Sequence, residues 1–175
     1  YIEKDAIKEF LSTIRYPAYH LDFETVNPAI PKYDGTHPYQ QVPVQFSLHI
    51  EYEDGTTHHE EFLADHTQSP LRPCAEALVK YFPTDVTILA YQADFERGRL
   101  RELAAYFPDL SEHLLAMADN VVDLEKPFAK MNYYTEAMKG RSSIKVVLPA
   151  FYRDDPDLDY HQLDQVQNGT MAVAA

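Results

Sequence analysis

Positive charge is scarce in this chain. Its 175 residues hold 15 Lys and Arg against 28 Asp and Glu, a formal net charge of −13. An acidic surface of this kind repels nucleic acid over long range, so contact with DNA or RNA needs a local site or another domain. Cysteine is scarcer still: Cys74 stands alone, which excludes an internal disulfide. Tryptophan is absent, and five glycines are too few for a flexible or collagen-like chain. No apolar run approaches the roughly 18 residues of a membrane-spanning helix. The opening Tyr1-Ile2-Glu3-Lys4-Asp5 is acidic and polar where a signal peptide is basic and then apolar. Together these absences predict a protein of a reducing, cytoplasmic setting that makes no membrane contact.

Several chemistries are missing as well. There is no glycine-rich phosphate loop, no Gly-x-Ser-x-Gly elbow and no His-Glu-x-x-His pair. The eight histidines do not repair this, because the neighbours His58 and His59 on a strand point to opposite faces. Cys74 falls on an apolar helical face and reads as core.

What is present is ordinary globular material, 45% hydrophobic and 25% charged. Apolar residues at helical spacing predict a helix over 3–14 that stops at Pro17. Residues 18–26 read as a strand, followed by a loop with Pro28, Pro31, Gly35 and Pro38. A hairpin follows over 44–63, turning at Glu53-Asp54-Gly55-Thr56. A helix is expected at 70–82. The nearly all-apolar Val86-Thr87-Ile88-Leu89-Ala90-Tyr91 fits a strand buried on both faces. Helices are expected at 94–107, 111–118, 123–131 and 142–148, the last ending before Pro149, with Val121-Val122 a short strand. The stretch 154–168 reads as loop. The chain does not open on Met, and Met171 to Ala175 reads as the start of a helix, so one domain of a longer protein is expected.

The order of strand, antiparallel hairpin, helix, strand and then helices predicts an α/β fold with a mixed sheet and helices packed on it. That order is shared with the ribonuclease H-like fold. It puts strand 18–26 beside strand 86–91, with the hairpin extending the other side.

Two segments carry candidate chemistry. Asp22 and Glu24 are two apart on a strand and share a face, opposite Tyr19, Leu21 and Phe23. Paired carboxylates repel, and a hard divalent cation relieves that cost; two solvated acids are the plain alternative. In the second segment Glu96 lies four residues before Leu100 and seven before Leu103, on the core-facing stripe of a helix. Asp94 reads as the cap of that helix, and otherwise as a supporting or fallback acid beside Glu96.

Leu21-Asp22-Phe23-Glu24-Thr25 resembles the first motif of the DEDD-type 3′→5′ exonucleases, relatives of ribonuclease H. The stretch Ala90 to Leu100 resembles their second motif, with Gln92 at its amide position and Glu96 where Asp is usual. The chain also resembles a bacterial family known only as a domain of unknown function, through residues 21–25, 41–49, 61–65, 91–103, 122–124 and 143–150. The exonuclease resemblance implies that Asp22, Glu24 and Glu96 are catalytic and hold two Mg²⁺ or Mn²⁺ ions. It also implies a further acid from a late helix. Tyr160 to Asp164 matches Tyr-x-x-x-Asp in letters but sits in loop-like sequence, so that acid is either Asp164 or one beyond residue 175. In the second case these 175 residues are inactive by themselves.

Asp123 follows an apolar pair and reads as a helix cap or as a group behind the metal ligands. Tyr39, Tyr91, Tyr133 and Tyr134 offer faces on which bases could stack, or are half-buried packing residues. Lys139, Arg141 and Lys145 form the basic cluster, and Gln92 and Lys145 are the expected nucleic-acid contacts. Two functions follow. The first is a metal-dependent 3′→5′ exonuclease acting on single-stranded nucleic acid alongside other domains of its parent chain. The second is a catalytically silent scaffold of the same shape that binds nucleic acid or a protein.

Overall fold

The structure, a computed structural model, describes residues 1–65 and 67–152. They fall into two units. One comprises residues 13–124; the other combines residues 1–12 with the chain from residue 125.

The larger unit is built on a five-stranded mixed sheet. Strands β1 (Ala18–Val26), β2 (Val42–Glu51), β3 (Thr57–Leu63), β4 (Thr87–Ala90) and β5 (Val121–Asp123) lie in the order β3-β2-β1-β4-β5. Strand β1 pairs antiparallel with β2 and parallel with β4, and β4 pairs parallel with β5. The expected neighbours of β1 are therefore the observed ones. Every residue of β4 is buried, as its apolar run requires of a strand covered on both faces.

Helices α2 (Leu71–Tyr81), α3 (Asp94–Tyr106) and α4 (Ser111–Asp119) bring the apolar stripes that close the core. Leu21 and Phe23 of β1 pack with Phe46 and Leu48 of β2, Leu78 of α2, Leu100 of α3 and Met117 of α4 in one buried cluster. Phe46, fully buried, lies edge-on to Phe23, Tyr81 and Phe82 and stacks on Phe62 at 5.6 Å. Cys74 is a core residue as expected, and burial pushes its thiol pKa up to about 12.

In the smaller unit, α1 (Lys4–Ser12) adjoins α5 (Lys126–Ala129), and Ile2 bridges to Tyr133. A 3-10 turn at Glu136–Met138 packs on α6 (Ile144–Phe151). Two expectations are corrected here. The helix expected over 123–131 shortens to α5, because residues 121–123 are taken up by β5. Helix α6 does not end before Pro149 but runs through it to Phe151. Proline's fixed φ suits a helix, and near the last turn it forfeits a single hydrogen bond while Val147 and Ala150 gain burial.

Phe46 is the ring on which Phe23, Phe62, Tyr81 and Phe82 converge. Phe46→Ala should lower unfolding free energy by about 3–5 kcal/mol, the range for deleting a buried aromatic ring. Urea denaturation followed by circular dichroism checks it.

Candidate functional site

Strand β1 runs through the middle of the sheet, and alternation sorts its side chains. Leu21 and Phe23 enter the core, while Asp22 and Glu24 are exposed together on the opposite face. A bulge follows at once: Glu24 pairs with Gln45 but Thr25 pairs with Pro43, so one residue of β2 is unmatched. Bulges bend a strand and re-aim the side chains beside them.

The parallel pairing sets the second element. His20 aligns with Leu89, and Leu89 with Val122, so β1, β4 and β5 all run toward the same end of the sheet. Asp22 and Glu24 lie beyond that row on β1, and Asp123 one residue beyond it on β5. In parallel sheets ligands bind outside such carboxyl ends. Between β4 and α3 the chain turns tightly at Gln92, which takes φ 59°, a left-handed conformation rare for a residue with a Cβ. The Gln92 backbone N–H donates to Asp123 Oδ1 at 3.0 Å. Asp123 thus ends a strand and holds this turn, and it is not the helix cap expected of it; residue 125 occupies that place.

Glu96 lies where its spacing predicted. It is buried with Leu100, Leu103 and Ala104 on the inner stripe of α3, with 4% of its surface exposed. Its Oε2 is buried without a hydrogen-bond partner. Lost hydration raises its carboxyl pKa to about 7, and the charges of Asp22 and Asp123 add to the rise. The helix backbone and the Arg99 guanidinium oppose it. Desolvation also raises the pKa of Asp22 and, together with the Asp22 charge, that of Glu24. The structure therefore couples Glu96 to Asp22 and to Asp123, and Glu24 to Asp22.

Asp94 is not the cap of α3. The cap position is Ala93, and Asp94 sits in the first turn with its side chain 97% exposed, paired with Arg97 at 2.9 Å. Arg97 in turn donates to the Val121 carbonyl at 2.7 Å, tying α3 to β5.

Lys145 belongs to the second unit, near the start of α6. Asp164 falls outside the described residues. On the face that carries Asp22, His20, His49 and His59 form a cross-strand row, with the last two rings stacked at 4.3 Å. Among the described residues no group of three or more His, Cys, Asp or Glu is arranged to hold a metal ion. Asp22, Glu24 and Glu96 suit a hard cation in the chemistry of their donors, and Glu96 offers an unpartnered oxygen, but they do not form such a group as they stand. The left-handed Gln92 was missed from sequence, while Asp123 was singled out by its place directly after the apolar Val121-Val122 pair.

The family described as Domain of unknown function (DUF2779) matches residues 19–143. No curated protein and no solved structure matches the chain.

The pKa of Glu96 fixes a pH dependence. Its value in the fold lies above the ordinary 4.5, so its stability contribution is complete below pH 4.5 and is lost as pH rises through about 7. Glu96→Gln should level this decline. In EDTA it should match the parent near pH 4.5 and exceed it by about 3 kcal/mol at pH 8, read by urea titrations at both pH values. Asp94→Ala should cost less than about 1 kcal/mol, as an exposed ion pair allows.

Proposed function

The chain belongs to the DUF2779 family, whose description states no activity, and from the site itself we propose a metal-dependent nuclease domain of ribonuclease H-like fold. Its substrate is single-stranded nucleic acid, hydrolysed in the 3′→5′ direction. The observation that carries this reading is Glu96, a buried carboxyl with an unpartnered oxygen, whose charge is further disfavoured by Asp22 and Asp123. Burying such a group without a partner opposes folding. Perturbed carboxyls of this kind gather where chemistry is done. The sheet order with β1 between an antiparallel and a parallel neighbour supports the ribonuclease H-like assignment.

In this reading Asp22, Glu24 and Glu96 would hold Mg²⁺ or Mn²⁺, with a further acid from outside the described residues, Asp164 or a later one. When bound, the ions supply an activated water and charge stabilisation at the phosphodiester. The chain's own residues do the rest. Asp123 fixes the Gln92 turn, so that the Gln92 side chain is presented at the carboxyl end of β4 as a nucleic-acid contact. Lys145 is proposed as a phosphate contact. Glu96 must lose its proton to act, so activity rises with pH, and a bound cation shifts that rise below pH 7.

A second reading is favoured by one observation, the lack of a three-ligand group among the described residues. It is a silent scaffold that binds nucleic acid or a protein without cleaving. Incubating the full-length protein with end-labelled single-stranded DNA and RNA separates the two. The nuclease reading expects Mg²⁺- or Mn²⁺-dependent shortening from the 3′ end, blocked by EDTA. Asp22→Asn and Glu96→Gln should each lower the rate at least 100-fold with no loss of melting temperature. No cleavage in either metal, or undiminished cleavage by both variants, would overturn it.

A further inference from the structure

Tyr39 lies in the loop that leaves β1 at Val26 and enters β2 at Val42, two residues that pair across the strands. The loop therefore stands at the end of the sheet next to Glu24, and the Thr25 hydroxyl donates to the side chain of Gln41 within it. Tyr39 has φ 60°, a left-handed conformation that glycine adopts freely and a bulky residue does not. Its side chain gains little from the fold in return, since 69% of the residue is exposed.

The surroundings hold it there. The Tyr39 N–H donates to the Pro28 carbonyl at 3.0 Å. The next residue, Gln40, is buried: it accepts the His37 N–H at 3.1 Å and donates to the Tyr106 hydroxyl at 3.0 Å. That hydroxyl donates to the Gly35 carbonyl at 2.8 Å, locking the loop to α3. In the larger unit the other described non-glycine residue with left-handed backbone is Gln92, at the carboxyl end of β4. Both strained positions follow the carboxyl ends of parallel strands, Tyr39 in the loop after β1 and Gln92 in the turn after β4. Backbone strain held in place by a surrounding network is enriched at ligand clamps and active sites.

We propose that Tyr39 is an aromatic platform on which a nucleobase of a single-stranded nucleic acid stacks at the acidic end of the sheet. The inference rests on the nucleic-acid reading above and names one residue that makes the contact. Stacking needs an exposed ring face and no positive charge, so it works on a chain of net charge −13 where phosphate attraction is weak. It is tolerant of sequence, because every base has a flat face.

The test is fluorescence anisotropy of labelled single-stranded DNA and RNA with the full-length protein, in Mg²⁺ and in EDTA, beside thermal melts. Tyr39→Phe keeps the ring and should bind within about twofold of the parent. Tyr39→Gly should weaken binding about 5- to 100-fold, the range for losing one stacked base. It should also raise the melting temperature, because glycine relieves the left-handed backbone. Unchanged affinity in Tyr39→Gly, a lowered melting temperature in that variant, or no binding by the parent would each overturn the platform. The nuclease reading fails separately: Tyr39-dependent binding without cleavage in either metal would leave the platform standing on a silent scaffold.

Discussion

Glu96 sits in the stripe that α3 turns toward the core, and burial there disfavours its charge. A glutamine in that place would avoid the penalty. The geometry around it compounds the difficulty, because Asp22 and Asp123 approach from two strands and raise its pKa further. Arg99, one turn along the same helix, gives partial relief, but its guanidinium also pairs with Glu102 and lies over the Phe95 ring at 5.0 Å. The result is a carboxyl with an unpartnered oxygen, poised near neutrality beside two further acids. Folding tolerates it only because the surrounding core fixes α3 against the sheet.

That fixing is the work of the parallel strands. Strands β1, β4 and β5 run parallel, and β1 continues past the ends of the other two, so acids far apart in sequence gather at the carboxyl ends of these strands. Arg97 fastens α3 to the Val121 carbonyl, and Asp123 fastens the preceding turn through the Gln92 N–H. Both bonds place the first turn of α3 over the strand ends, which is what brings Glu96 within electrostatic reach of Asp22. The two strained backbones at Tyr39 and Gln92 follow the carboxyl ends of β1 and β4. Strain, buried charge and strand ends coincide there, whereas the core behind them is ordinary apolar packing around Phe46.

Charge is distributed in keeping with this. The chain is strongly acidic, but five of its 15 basic residues, Lys126, Lys130, Lys139, Arg141 and Lys145, lie within residues 125–152. The other ten are spread over the rest of the sequence.

Much of this was legible in residues alone. Alternation in Leu21-Asp22-Phe23-Glu24 determined which side chains share a face, because a strand has period two. The apolar run Thr87 to Ala90 determined a buried strand, and the spacing of Glu96, Leu100 and Leu103 determined that a carboxylate would turn inward. Local patterns of this kind depend on backbone geometry that neighbouring residues fix by themselves. Other features depended on partners distant in the chain. Asp94 had the sequence of a cap, yet the helix begins one residue earlier than a side-chain cap would require, and Asp94 pairs with Arg97 instead. Asp123 became the end of a strand because β4 was there to pair with it, which also cut short the expected helix. The left-handed backbones of Tyr39 and Gln92 carry no glycine to announce them; only the hydrogen bonds to Pro28 and Asp123 reveal them. Sequence determined which groups face which way along each element, and the tertiary structure decided which of them meet, because pairing strands and docking helices sets distances that no local pattern encodes.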